Sequence, residues 1–93
     1  MDIEDVAGSK LLALFGRAEA RDFADVRALA RQFGKDRLLV LAAERDLGFD
    51  REVLAQMTAH MPALRDDRFP VPPEQVPELR SFFASWAEEL RDT

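Results

Sequence analysis

The sequence contains no cysteine. That excludes disulfide staples, thiolate nucleophiles and Cys-based zinc sites, so the fold must hold by packing alone. Its one histidine, His60, has no second histidine or cysteine with which to build an ordinary zinc site, and reads as an exposed or capping side chain near a helix end. No stretch approaches the ~20 apolar residues of a membrane-spanning helix. The opening Met1-Asp2-Ile3-Glu4-Asp5 is acidic where a secretory signal would be basic, so a cytoplasmic protein with no membrane contact is expected. Strand signals are also missing: no run of β-branched and aromatic residues alternates with period two. The four glycines, Gly8, Gly16, Gly34 and Gly48, are unclustered, and no Ser/His/Asp or Cys/His arrangement stands at a recognisable spacing.

What is present is helical periodicity. At 93 residues and 47% hydrophobic content, the chain reads as one domain over residues 1–93, an all-α bundle of about five helices with a modest core. The first helix is expected from Asp2 to Phe15, with Gly16 as a left-handed C-cap and Gly8 marking a bend or a close approach. The second runs from Asp22 to Phe33 and stops at Gly34. The third, Asp36 to Arg45, is apolar through Leu38-Leu39-Val40-Leu41-Ala42-Ala43, which predicts burial on more than one side and a central place in the packing. Asp50 is a natural N-cap for the fourth, which carries Val53, Leu54, Met57 and Met61 inward until Pro62. Ala63 to Pro73 reads as a linker anchored by Phe69. A last helix from Pro73 or Pro77 then places Leu79, Phe82, Phe83, Trp86 and Leu90 on one face, as core residues rather than a base-stacking platform.

Charge is unevenly distributed. The net charge is −5, yet residues 17–37 hold six basic side chains (Arg17, Arg21, Arg27, Arg31, Lys35, Arg37) against four acidic ones. From 64 to 93 the balance reverses, four basic against seven acidic. A basic patch and a solvated helix face explain the first segment equally well.

Some charges fall where periodicity calls for apolar residues. Lys10 lies within the Ile3, Ala7, Leu11, Leu14 stripe, and Arg17 follows at i+7. On the second helix Asp22 shares the sector of Phe23, Val26, Leu29, Ala30 and Phe33, with Asp25 at its margin. One reading is structural: a Lys10/Asp22 ion pair fixes the helix meeting, and Asp22 caps the second helix by accepting from the N–H of Asp25. The other is that these charges belong to a phosphate and metal site.

The segments Lys10-Leu-Leu-Ala-Leu-Phe-Gly-Arg17 and Arg21-Asp22-Phe-Ala-Asp25-Val resemble the C-terminal helical half of the AbiEii/AbiGii-type nucleotidyltransferase toxins of bacterial type IV toxin–antitoxin systems. The resemblance continues through Phe49-Asp50 and the Trp86 helix. It implies that Lys10 contacts nucleotide phosphate and that Asp22 is a base or polar organiser, with Arg17, Arg21 and Asp25 in support. For the complete enzyme it implies Mg2+, a nucleoside triphosphate and an antitoxin. The chain departs from that pattern: it has no Gly-rich strand-to-helix turn and no Asp-x-Asp pair, and Ser9 stands where the family more often has an acidic residue. The α/β catalytic core is thus absent, so the chain is expected to hold no cofactor or metal of its own and to be inactive unless a partner supplies that core. Two alternatives stand beside this: a stand-alone helical interaction or self-association module, and RNA contact through Arg17 to Arg37.

Overall fold

A computed structural model describes residues 2–92. Five α-helices follow one another: α1 (Ile3–Gly16), α2 (Ala20–Phe33), α3 (Lys35–Arg45), α4 (Arg51–Ala59) and α5 (Val76–Arg91). Three short 3-10 turns, Met61–Ala63, Asp66–Arg68 and Pro73–Gln75, lie between α4 and α5. The all-α bundle expected from the periodicity is therefore what forms, with no strand among the described residues.

Local chemistry sets the boundaries. Asp2 accepts from the N–H of Glu4 at 3.3 Å and Asp50 from that of Glu52 at 2.8 Å, each satisfying an orphan donor at a helix start. Gly34 adopts φ +84° as the single residue between α2 and α3, a conformation that disfavours any residue with a Cβ. The end of α1 differs from expectation: Gly16 is still helical, and the left-handed residue is Ala18, at φ +51°. The Ala13 carbonyl accepts from both Arg17 N–H (2.8 Å) and Ala18 N–H (3.3 Å), so the reversal falls two residues after the glycine. Nor is the linker wholly extended: two 3-10 turns fall at or within Ala63–Pro73, and a third opens with Pro73 as the lead into α5.

The core draws on all five helices. Ala7, Leu11 and Leu14 of α1 meet Phe23 and Val26 of α2, Leu38 and Ala42 of α3, Leu54 and Ala55 of α4, and Leu79, Phe83 and Trp86 of α5, with Phe69 closing it from the linker. Phe23 stands edge-on to Phe83 (centroids 5.0 Å apart), and Trp86 packs beside Phe82 and Phe83. The aromatic stripe of α5 is core, as its spacing predicted.

The central helix is α1, which packs on α2, α3 and α4, whereas α3 rests mainly on α1 and α2. The apolar run of α3 is therefore buried on one side only, and Val40 remains 46% exposed. Gly8 sets the α1–α3 distance. A Cβ there would fall 2.7 Å from Cδ of Arg45 and 3.1 Å from the Leu41 carbonyl oxygen. Arg37–Glu4 (2.7 Å) and Arg45–Asp5 (3.2 Å) tie the same two helices at the surface.

The uneven charge has a structural outcome. Arg27 and Arg31 of α2 pair with Glu78 of α5, and Lys35 pairs with Glu89. Arg27 also lies over the Phe82 ring, 4.1 Å from its centroid. With Arg37 on Glu4 and Arg17 and Arg21 in the corner described next, all six cations of residues 17–37 have acidic partners within the chain. Three of the six, Arg27, Arg31 and Lys35, thus reach the acidic face of α5, and the other three pair with carboxylates of α1, of α2 and of the corner between them.

Candidate functional site

The corner between α1 and α2 is only three residues long, Arg17-Ala18-Glu19. Such a tight reversal brings the end of one helix against the first turn of the next. Glu19 is the N-cap of α2 and Asp22 its third helical residue, so Asp22 does not cap the helix as expected; two further residues, Ala20 and Arg21, already lie in it. From that position its Oδ2 accepts from the Glu19 N–H at 2.9 Å, one of the first-turn donors left without a helical partner.

Asp22 is wholly buried. Arg17 reaches back over the corner and grips it with both prongs, Nη2 to Oδ1 and Nε to Oδ2, each at 2.9 Å. Burial pushes the Asp22 carboxyl up; the Arg17 hydrogen bonds, the Glu19 N–H and the charges of Arg17 and Arg21 more than offset it and hold the group below its ordinary range. The same contact raises Arg17. A bidentate guanidinium with a backbone donor satisfies a buried carboxylate well.

Lys10 sits elsewhere on the α1–α2 seam. Its Nζ lies 3.1 Å from Oδ2 of Asp25, and both side chains are about two-fifths exposed, at 42% and 41%. Periodicity placed Lys10 inside the buried stripe; it lies at the stripe's edge, because Ala7, Gly8, Leu11 and Leu14 occupy the inner sector. The charges therefore pair as Lys10–Asp25 and Arg17–Asp22 rather than as Lys10 with Asp22. Arg21 is exposed and bonded to Glu19 at 3.2 Å, with Arg17 also 3.8 Å from that carboxylate. All five residues singled out from sequence thus line one α1–α2 junction: Arg17 and Asp22 in a clasp, Lys10 and Asp25 in an exposed pair, and Arg21 on Glu19.

The sequence matched here is that of a known group. The family model described as Nucleotidyl transferase AbiEii toxin, Type IV TA system, matches residues 1–92. The chain belongs to the AbiEii family. Comparisons with curated proteins and with solved structures return no match. Membership in a type IV toxin–antitoxin family implies an antitoxin as partner.

The carboxylates of this AbiEii chain do not suit a magnesium ion. Asp22 is buried and saturated, Asp25 and Glu19 face cations, and among the described residues no three His, Cys, Asp or Glu side chains converge as ligands. Nor does any helix among the described residues have the length and apolarity to cross a membrane.

Glu19 went unrecognised in the sequence because glutamate is a poor N-cap by type, and only its spacing to Asp22 carried a signal. Arg65 and Arg68 of the linker also went unrecognised. They lie opposite the corner, across a groove that Arg17 and Arg21 share, and a loop offers no periodicity from which that could be read.

Proposed function

We propose that this chain is the helical module of an AbiEii nucleotidyltransferase, corresponding to the family's C-terminal helical half. It works in the cytoplasm together with a catalytic core that supplies the Gly-rich turn and the Asp-x-Asp pair, and it is inactive without that core. Magnesium belongs to the core's carboxylates. The observation that carries the reading is the convergence of the two motif segments, Lys10 to Arg17 and Arg21 to Asp25, on one helical junction.

Within that module the residues divide by environment. Lys10 is the phosphate contact: its ammonium stands on a rigid helix, half-exposed, against a carboxylate in water, a pairing weak enough to exchange for a phosphate. Asp22 is the organiser rather than the base. A base needs an accessible lone pair and a pKa near the working pH, and Asp22 is buried, takes three hydrogen bonds and is held low. Arg17 neutralises Asp22 and Asp25 orients Lys10, while Arg21 stands at the exposed start of α2.

The test mixes the chain with a separately produced catalytic core of the family and follows label from an α-labelled nucleoside triphosphate onto RNA. Transfer by the mixture and by neither part alone is the expected result. Transfer by this chain alone, or a mixture no better than the core, would overturn the reading.

A further inference from the structure

An open groove of about 830 Å3 separates the α1–α2 corner from the first two 3-10 turns of the linker, with Arg17, Glu19 and Arg21 on one wall and Leu64, Arg65 and Arg68 on the other. Four guanidiniums and one carboxylate are thus gathered around one cavity, in a chain of net charge −5. Their commitments differ. Arg17 is bound to buried Asp22. Arg21 and Arg65 are held only by exposed carboxylates, Glu19 at 3.2 Å and Asp67 at 2.6 Å, and such pairs exchange readily in water. The Arg68 guanidinium has no hydrogen-bond or ion-pair partner among the described residues, its backbone N–H alone donating to the Arg65 carbonyl at 3.1 Å.

The far wall is held in place. Arg80 of α5 donates to the carbonyls of Met61 (3.0 Å) and Leu64 (2.6 Å), and its guanidinium lies 5.1 Å from the centroid of buried Phe69. The backbone carrying Arg65 and Arg68 is therefore pinned to the core on both sides of those residues. No aromatic ring lines the groove, so it offers forked donors for oxyanions and no surface on which a base could stack.

We propose that this groove binds phosphate groups, with Arg21, Arg65 and Arg68 as the ligating guanidiniums and Arg17 as their fixed neighbour. Several guanidiniums around one open cavity fit a ligand with closely spaced negative charges: the polyphosphate of a nucleotide or the backbone of an RNA strand. Choosing phosphate over another oxyanion rests on the transferase reading above; the residues do not.

The experiment records arginine Nε–Hε resonances of the intact chain while inorganic triphosphate, and separately a short single-stranded RNA, is added at low salt. The resonances of Arg65 and Arg68 shift saturably, and the Arg65→Ala/Arg68→Ala double variant binds about tenfold more weakly. Arg51→Ala, an exposed arginine outside the groove, binds as the parent does. Saturation by triphosphate assigns the groove to a free polyphosphate, and saturation by RNA alone assigns it to a strand. The proposal is overturned if neither probe saturates, if the double variant binds normally, or if polyglutamate binds as well as either probe. Because the readout is binding, a failed transfer assay with an intact Arg65/Arg68-dependent titration sinks the transferase reading alone.

Discussion

Replacing Arg17 with alanine strands a buried carboxylate. Asp22 keeps only the Glu19 N–H of its three donors, and water reaches it only through the opening that the half-exposed Arg17 side chain leaves. Removing one member of a buried pair costs about 3–5 kcal/mol, and because Arg17 is itself 45% exposed the lower end applies, about 3 kcal/mol. A chain of this length has about 5–14 kcal/mol in all, so the variant should melt roughly 12–20 °C lower near neutral pH. The effect carries a pH signature. In the parent the Asp22 pKa is lowered on folding, so its contribution is fully present above the unfolded value of about 4 and is lost as pH falls through the folded one. Without Arg17 the burial that pushes the carboxyl up is opposed only by the Glu19 N–H and the Arg21 charge, so the variant gains less stability than the parent as pH rises. Urea unfolding followed by the fluorescence of Trp86 across the acid-to-neutral range reads both effects. The gap between parent and variant should widen from acid to neutral pH, and Asp22→Asn on the variant background should narrow it. A loss under about 1 kcal/mol at neutral pH, with parallel pH profiles, would refute the reasoning.

Two further changes test the backbone around the site. Gly8→Ala gains helix propensity of about 1 kcal/mol but forces α1 away from α3 at the Leu41 carbonyl, and a net loss of about 1 kcal/mol in thermal unfolding is expected. Ala18→Gly removes a left-handed alanine at the corner, and the melting temperature should rise by the equivalent of about 0.5–1 kcal/mol. A destabilised glycine variant would mean the Ala18 side chain contributes more than its backbone costs.

Helix positions and most of the core were legible in the sequence because both follow from the 3.6-residue period: Leu11, Leu14, Phe23, Val26, Phe83 and Trp86 were assigned to the interior and are there. The third helix misled, since an unbroken apolar run gives no periodic contrast from which a buried side can be chosen, and Val40 faces out. The candidate site was legible as a set of residues and not as a set of pairs. Periodicity placed Lys10, Arg17, Asp22 and Asp25 at one seam, but the partners depend on where the chain turns. Moving the start of α2 from Asp22 to Ala20 converts Asp22 from a cap into the acceptor for Arg17 and leaves Asp25 to Lys10. The charge contrast between residues 17–37 and 64–93 is visible from composition, while its resolution into Arg27–Glu78 and Lys35–Glu89 requires partners some fifty residues apart in sequence.

On the proposed reading the two charged pairs do different jobs, Arg17–Asp22 holding the corner and Lys10 meeting phosphate. The nucleotidyl-transfer rate of Lys10→Ala in the mixture with a catalytic core, measured beside its unfolding curve, separates them. Stability within about 1 kcal/mol of the parent is expected, because the Lys10–Asp25 pair is solvent-exposed, together with a transfer rate reduced by tenfold or more. An unchanged transfer rate, or a rate that falls only because the variant unfolds, would contradict that reading.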